Sequence, residues 1–196
     1  MKKPIFIVIC IGFLTLSGCY VPEKFVATLD IHPDKSSTYR YEGTMANFLA
    51  VIGLTGGGKL SNADEATLKK EVVNLSKEPR VKKVSYKGDG RYDFSILEEH
   101  KLGDKYSAEA LVKVTSDTKG LMIISSNKVD ANDLLQLKEA GIKLDGKLLV
   151  NLPNNVDVIS HNATTSPSFF GFIGGYSWTI GKGVPTQAPQ MVLRFK

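Results

Sequence analysis

The sequence is poor in cysteine: of its 196 residues only Cys10 and Cys19 carry a thiol. Residues 20–196 therefore contain neither a disulfide, a cysteine nucleophile nor a thiolate metal ligand, and that part of the chain must be stabilised by packing alone. An excess of one charge is also lacking. Lys and Arg number 25 against 20 Asp and Glu, a formal net charge of +5, of which Lys2 and Lys3 supply two. The remaining +3 or so falls short of the dense basic stripe that nucleic acid requires, so no nucleic-acid partner is expected. It allows a weak attraction to an anionic membrane surface.

Catalytic and metal-binding patterns are sparse too. The three histidines, His32, His100 and His161, are scattered, and no pair has helical ligand spacing. Glu98-Glu99-His100 groups oxygen and nitrogen donors, but a solvated charged turn accounts for them better than a metal site. There is no G-x-S-x-G elbow for an activated serine. Residues 53–59 (GLTGGGK) satisfy most of a P-loop. Leu60, however, stands where the motif needs the Ser or Thr hydroxyl that holds Mg2+, so a flexible glycine-rich turn is the preferred reading. The chain is read as a non-enzyme, and no cofactor or metal is expected.

Long hydrophobic runs are absent apart from one. Residues 5–16 (IFIVICIGFLTL) follow the cationic Met1-Lys2-Lys3. Crossing a bilayer takes roughly 20 apolar residues, so this run is too short to span one and suits the h-region of a signal peptide. It ends in Leu16-Ser17-Gly18-Cys19, which resembles the lipobox of bacterial lipoproteins. That resemblance implies export, cleavage before Cys19, lipidation of Cys19 with fatty acyl chains such as palmitate, and attachment to a membrane through that residue. Three acyl chains would make release negligible. Tyr20, rather than the aspartate that retains many such lipoproteins in the inner membrane, follows the cysteine. The outer membrane, facing the periplasm, is therefore expected over the inner one. Residues 19–23 read as the lipidated cysteine and a short tether, and 24–196 as one domain held close to the lipid surface.

The periodicities in that domain predict an α+β fold, a strand-rich antiparallel sheet with two helices. Residues 24–31 alternate in strand fashion, with Phe25, Ala27, Leu29 and Ile31 on one face. A turn at 32–37 leads to a returning strand over 38–44. The apolar run 48–54 fits a short helix or a strand equally. A helix is predicted over 61–77, with Ser61 or Asn62 as cap, Asp64 and Glu65 in the first turn, and Leu68, Val72 and Leu75 as its apolar stripe. Strands at 81–86 and 91–97 flank the turn Gly88-Asp89-Gly90. Alternation continues over 106–115, and 120–125 is a short apolar strand. The second helix covers about 130–140, with Asp130 as cap, Gly141 at its left-handed end and Ile142 placed to contact Leu137. Strands at 147–152, 157–160, 176–180 and 191–195 complete the set.

Phe169, Phe170, Phe172 and Ile173 crowd between Pro167 and Gly174-Gly175, and they form the candidate contact surface. In a loop they would be exposed to lipid or to a partner's groove; in a hairpin they would be core. Trp178 reads as a core anchor. The closing order is residues 148–153 (LLVNLP), Val156, His161-Asn162, and 176–180 (YSWTI). It resembles the LppM-type lipoprotein domain, although Asn162-Ala163 replaces that family's Asn-Gly turn and its C-terminal membrane helix is absent. The resemblance implies a non-enzymatic envelope domain able to bind lipid or glycolipid. The function expected is a membrane-anchored binding or accessory module for an envelope lipid or a membrane-protein partner. The alternative is a structural subunit of a larger envelope assembly, joined through a free strand edge at 191–195.

Overall fold

The computed structural model describes residues 20–54, 59–106, 111–126, 131–167, 175–181 and 187–196. The chain opens with β1 (Tyr20–Ile31), whose Phe25, Ala27, Leu29 and Ile31 are buried while Lys24 and Val26 face out. The turn after it, held by Asp34 accepting from the Ser36 backbone and hydroxyl, returns the chain into β2 (Ser37–Asn47). Asn47 then starts a five-residue helix, α1 (Phe48–Ile52), by accepting from the Ala50 amide at 3.2 Å. This settles the ambiguous apolar run as a helix.

The longer helix α2 (Asn62–Leu75) begins where expected, with the Ser61 hydroxyl accepting from the Asp64 amide. Its Leu68, Val72 and Leu75 lie half-buried against the core. Next come β3 (Val81–Gly88) and β4 (Arg91–His100), joined at Asp89, where φ is +51°, between two glycines that are also left-handed. Two short strands follow, β5 (Lys113–Ser116) and β6 (Met122–Ser125), then α3 (Ala131–Glu139). The end of α3 matches the expected closure. Gly141 has φ +75°, its amide donates to Lys138, and the Ile142 amide donates to Leu137 at 2.8 Å. The chain finishes with β7 (Asp145–Asn151), β8 (Val156–His161), β9 (Tyr176–Ile180) and β10 (Gln190–Phe195).

These strands make two sheets. One has six strands in the order β3-β4-β2-β1-β7-β9; the other has four, β5-β6-β10-β8. The fold is α+β and strand-rich, as the periodicities require, with two differences. β1 and β7 run parallel, so the large sheet is mixed, and α1 is a third helix among the described residues. The inner faces of both sheets join in one hydrophobic cluster. Phe25, Leu29, Tyr41, Phe94 and Leu148 come from the large sheet, Val114, Ile124, Met191 and Leu193 from the small one. The outward face of the large sheet carries polar pairs as well as the small apolar cluster around Ala46 and Val51. Asp30, for example, is bonded there by Arg40 and by Asn151.

Two expectations need correcting. Residues 20–23, read as a tether, belong to β1, because Tyr20 packs edge-on against Tyr92 and Phe94 while Tyr20, Val21 and Pro22 pair with β2. The segment 191–195, read as a free edge, is flanked on both sides. β10 pairs with β6 and with β8, since Met191 and Leu193 are fully buried between the sheets.

Candidate functional site

At the end of the large sheet where β4 finishes, the chain forms an open cleft of about 610 Å3. Its floor is an unusual piece of strand. The alternation that buries Tyr92, Phe94 and Ile96 continues in phase to Glu98, so that carboxylate also points inward and is only 8% exposed. Burial of a carboxylate needs compensating charge and hydrogen bonds. His100 Nε2 lies 2.9 Å from Glu98 Oε2, and Arg80 Nη1 lies 3.7 Å from its Oε1. The His100 ring is in turn stacked on Tyr106, with centroids 3.8 Å apart and planes inclined by 23°. The Tyr106 hydroxyl is hydrogen-bonded to the Ser37 hydroxyl. Burial holds the Tyr106 phenol above its ordinary pKa, and the Ser37 bond opposes that shift in part.

The expected solvated turn at 98–100 is therefore corrected: Glu98 and His100 belong to a strand and are packed. The signal was present in the sequence, since residues 92, 94, 96 and 98 share one phase. Chemically the arrangement is a buried carboxylate, bonded to His100 and close to Arg80, under an opening lined by Arg80, Lys82, Lys105 and Glu99. Such a rim can receive a polar or anionic group. Ser37, which sits across from His100 in the β2–β4 pairing, commits its hydroxyl to Tyr106. Among the described residues no group of three or more His, Cys, Asp or Glu is placed to hold a metal ion.

A second cleft, of about 420 Å3, opens at the other end of the sheet, lined by Glu23, Lys24, Thr44, Lys87, Arg91, Gly141 and Lys143. At its base Arg91 grips Glu23 with two nitrogens, Nε at 2.8 Å and Nη2 at 3.1 Å. Nη2 also donates to the Gly141 carbonyl just past α3, and Nη1 to the Asp89 carbonyl. A paired fork of this kind fixes geometry. It ties β1, β4 and the exit of α3 together.

Cys19, Phe169, Phe170, Phe172 and Ile173 lie outside the described residues, as do residues 55–58 of the glycine-rich segment. What the structure does place is the base of the aromatic segment. Thr165 bridges to Ser177, and the Thr164 amide donates to the Ser177 carbonyl at 2.8 Å. Gly175 abuts Val150 and Asn151 so closely that an added Cβ would lie 2.6 Å from the Asn151 side chain. Trp178 is a core residue, as expected, 3% exposed, with its indole nitrogen donating to Asn162 Oδ1 at 2.8 Å.

The class these features define is a two-sheet α+β domain with an open polar cleft. No family model and no curated protein matches the chain. Among solved structures it is similar to the folded domain of the LppM protein of Mycobacterium tuberculosis, determined by NMR. Identity is 16%, the TM-score is 0.44, and the match covers 93% of this chain and 96% of that one. A likeness of that size carries no argument about activity.

Proposed function

We propose that the chain is an exported lipoprotein, lipidated on Cys19, whose domain is a non-catalytic binding or accessory module of the cell envelope. The observation that carries this reading is the short apolar run closed by Leu16-Ser17-Gly18-Cys19, with ordered strand beginning one residue later at Tyr20. The anchor leaves the domain almost no stalk. Its ligand or partner must therefore come from the membrane or its immediate neighbourhood. We assign the contact to Phe169, Phe170, Phe172 and Ile173, for a lipid or a membrane partner, and the location to the outer membrane, facing the periplasm. The structural-subunit reading loses its motivating feature, since β10 is an interior strand.

Two measurements test it. Labelled palmitate fed to producing cells should enter the protein and be lost in Cys19→Ser; an unlabelled parent would refute the anchor. Native mass spectrometry of the detergent-solubilised protein, before and after solvent extraction, should reveal a stoichiometric lipid adduct. Phe170→Asp should remove that adduct and leave the fold intact. A variant that fails to fold would instead place Phe170 in the core and sink the contact surface.

A further inference from the structure

We infer that the end of the large sheet at which β1 begins rests on the anchoring bilayer, with Leu49 and Ile52 of α1 set into its headgroup layer. The inference rests on the proposed lipidation of Cys19. It starts from register. Tyr20, the residue after the anchor, pairs with Asn47, the residue that caps α1. Cross-strand partners lie about 5 Å apart and consecutive Cα atoms 3.8 Å, so α1 begins within about 10 Å of Tyr20, the residue that follows Cys19 in the chain.

The helix is held firmly in that place. Asn47 donates its amide to the Gly90 carbonyl at 2.7 Å, and Gly90 lies so close beneath α1 that an added Cβ would be 2.8 Å from the Ala50 Cβ. Val51 is buried in a small cluster with Ala46, Ala140 and Ile142, against which Phe48 also packs. Leu49 and Ile52, three residues apart and thus neighbours on the helix surface, point the other way. They are 66% and 41% exposed. Among the exposed apolar side chains of the described surface, these two sit on the helix whose cap, Asn47, pairs with Tyr20. The adjoining cleft adds Lys24 and Lys143 at the same end, where Arg91 and Lys87 are already paired with Glu23 and Asp93, and this modest positive excess suits an anionic headgroup layer. A lipid surface is thus the occupant that proximity, apolar exposure and charge all select.

The geometry has a consequence at the opposite end. β1 runs twelve residues from Tyr20 to Ile31, a length of roughly 36 Å. Val150 and Asn151, next to the base of the aromatic segment, pair with Leu29 and Asp30, and His100 pairs with Ser37. With α1 on the bilayer, the cleft of Glu98 and His100 and the base of the aromatic segment face away from it. The contact proposed for Phe169, Phe170, Phe172 and Ile173 would then be with a lipid or partner presented from the periplasmic side and not with the leaflet that holds the anchor.

The test uses the full chain produced in a bacterium that exports it. Leu49→Cys, Ile52→Cys and, as a far-end control, Asp34→Cys are each labelled with an environment-sensitive fluorophore. The proteins are then reconstituted into phosphatidylethanolamine–phosphatidylglycerol vesicles after intact mass has reported the state of Cys19. Labels at 49 and 52 should be blue-shifted, shielded several-fold from aqueous iodide, and quenched by lipid-borne nitroxide, whereas the label at 34 should be none of these. If Cys19 is lipidated but 49 and 52 are as wet as 34, the docking is overturned and the anchor stands. Shielding from iodide without quenching by nitroxide lipid would mean that protein covers α1, for example a second copy, and would overturn the lipid contact. An unmodified Cys19 brings down the anchor and the docking together.

Discussion

Single side chains do much of the joining in this molecule, and Asn162 is the clearest case. Its Oδ1 accepts from the Trp178 indole of β9 and from the Gln190 amide of β10, both at 2.8 Å, and its Nδ2 donates to the Ala188 carbonyl. One amide thus links the edge of the large sheet to the central strand of the small one. Asn162→Ala would leave three polar groups seeking partners. A cost of about 2 kcal/mol is expected, a fall in melting temperature of about 4–8 °C for a domain of this size, measurable by thermal unfolding. A variant as stable as the parent would mean that water replaces the amide. The buried tyrosines make a prediction of their own. Burial, the largest cause, together with a hydrogen bond to Glu65 pushes the Tyr86 hydroxyl from 10.0 up to about 12. The phenols of Tyr20, Tyr41 and Tyr92 are pushed higher still, again chiefly by burial. The folded state therefore keeps protons that the unfolded chain releases near pH 10. Stability from these groups is complete below that pH and is lost as pH rises through the folded values, Tyr86 first, near 12. An alkaline titration should show their tyrosinate absorbance emerging together with loss of the circular dichroism signal. Seven tyrosines ionising together near pH 10 in an intact fold would contradict it.

Elements in this fold fit by pairing large residues with missing ones. The Phe25 ring of β1 stacks on Tyr41 of β2, with centroids 5.6 Å apart and planes 19° from parallel. On its other side it covers Gly146 of β7, where any Cβ would overlap the ring. Gly146→Ala should displace Phe25 and loosen the parallel β1–β7 join, costing ~1–3 kcal/mol, with hydrogen-exchange protection falling in β7 before β4. Uniform protection would show that the ring has another place to go. The features most legible in the sequence were those written locally. The Ser61 cap, the Gly88-Asp89-Gly90 turn and the Gly141–Ile142 closure each depend on a few adjacent residues, and each is found in place. What lay beyond reach was set by distant partners. Nothing in residues 145–151 says that they pair with β1, or that they do so in parallel. Residues 48–54 suit either structure until the Asn47 cap and the β3–β4 turn select a helix. Residues 20–23, lying between Cys19 and the alternating run that starts at Lys24, read as a tether, whereas the pairing of Tyr20 with Asn47 makes them strand. Of the cleft, the inward phase of Glu98 was readable, but its partners Arg80, His100 and Tyr106 come together only through the sheet.

At the scale of the whole molecule, the small sheet lids the inner face of the large one. The C-terminal strand decides whether that lid exists. β10 is the sole link between β6 and β8 in the order β5-β6-β10-β8, and it pairs with Met122–Ser125 on one side and with Val156–His161 on the other. It also inserts Met191 and Leu193, both fully buried, into the common core. Ending the chain at residue 189 would therefore break two ladders at once. It would separate the β5–β6 hairpin from β8 and expose the apolar inner faces of β1 and β7 to water. Fully burying one such side chain contributes about 1.5–3 kcal/mol, so the two lost side chains and the uncovered face together rival the ~5–15 kcal/mol total stability of a typical domain. The shortened protein should lose cooperative unfolding and its dispersed amide spectrum, rather than simply melt a few degrees lower. By contrast, an equally short stretch removed from an edge strand such as β5 leaves the other three strands of its sheet paired. A truncated chain that kept a sharp transition and native dispersion would mean that the six-stranded sheet, with α2 against it, folds on its own, and that the small sheet is an appendage rather than half of the core.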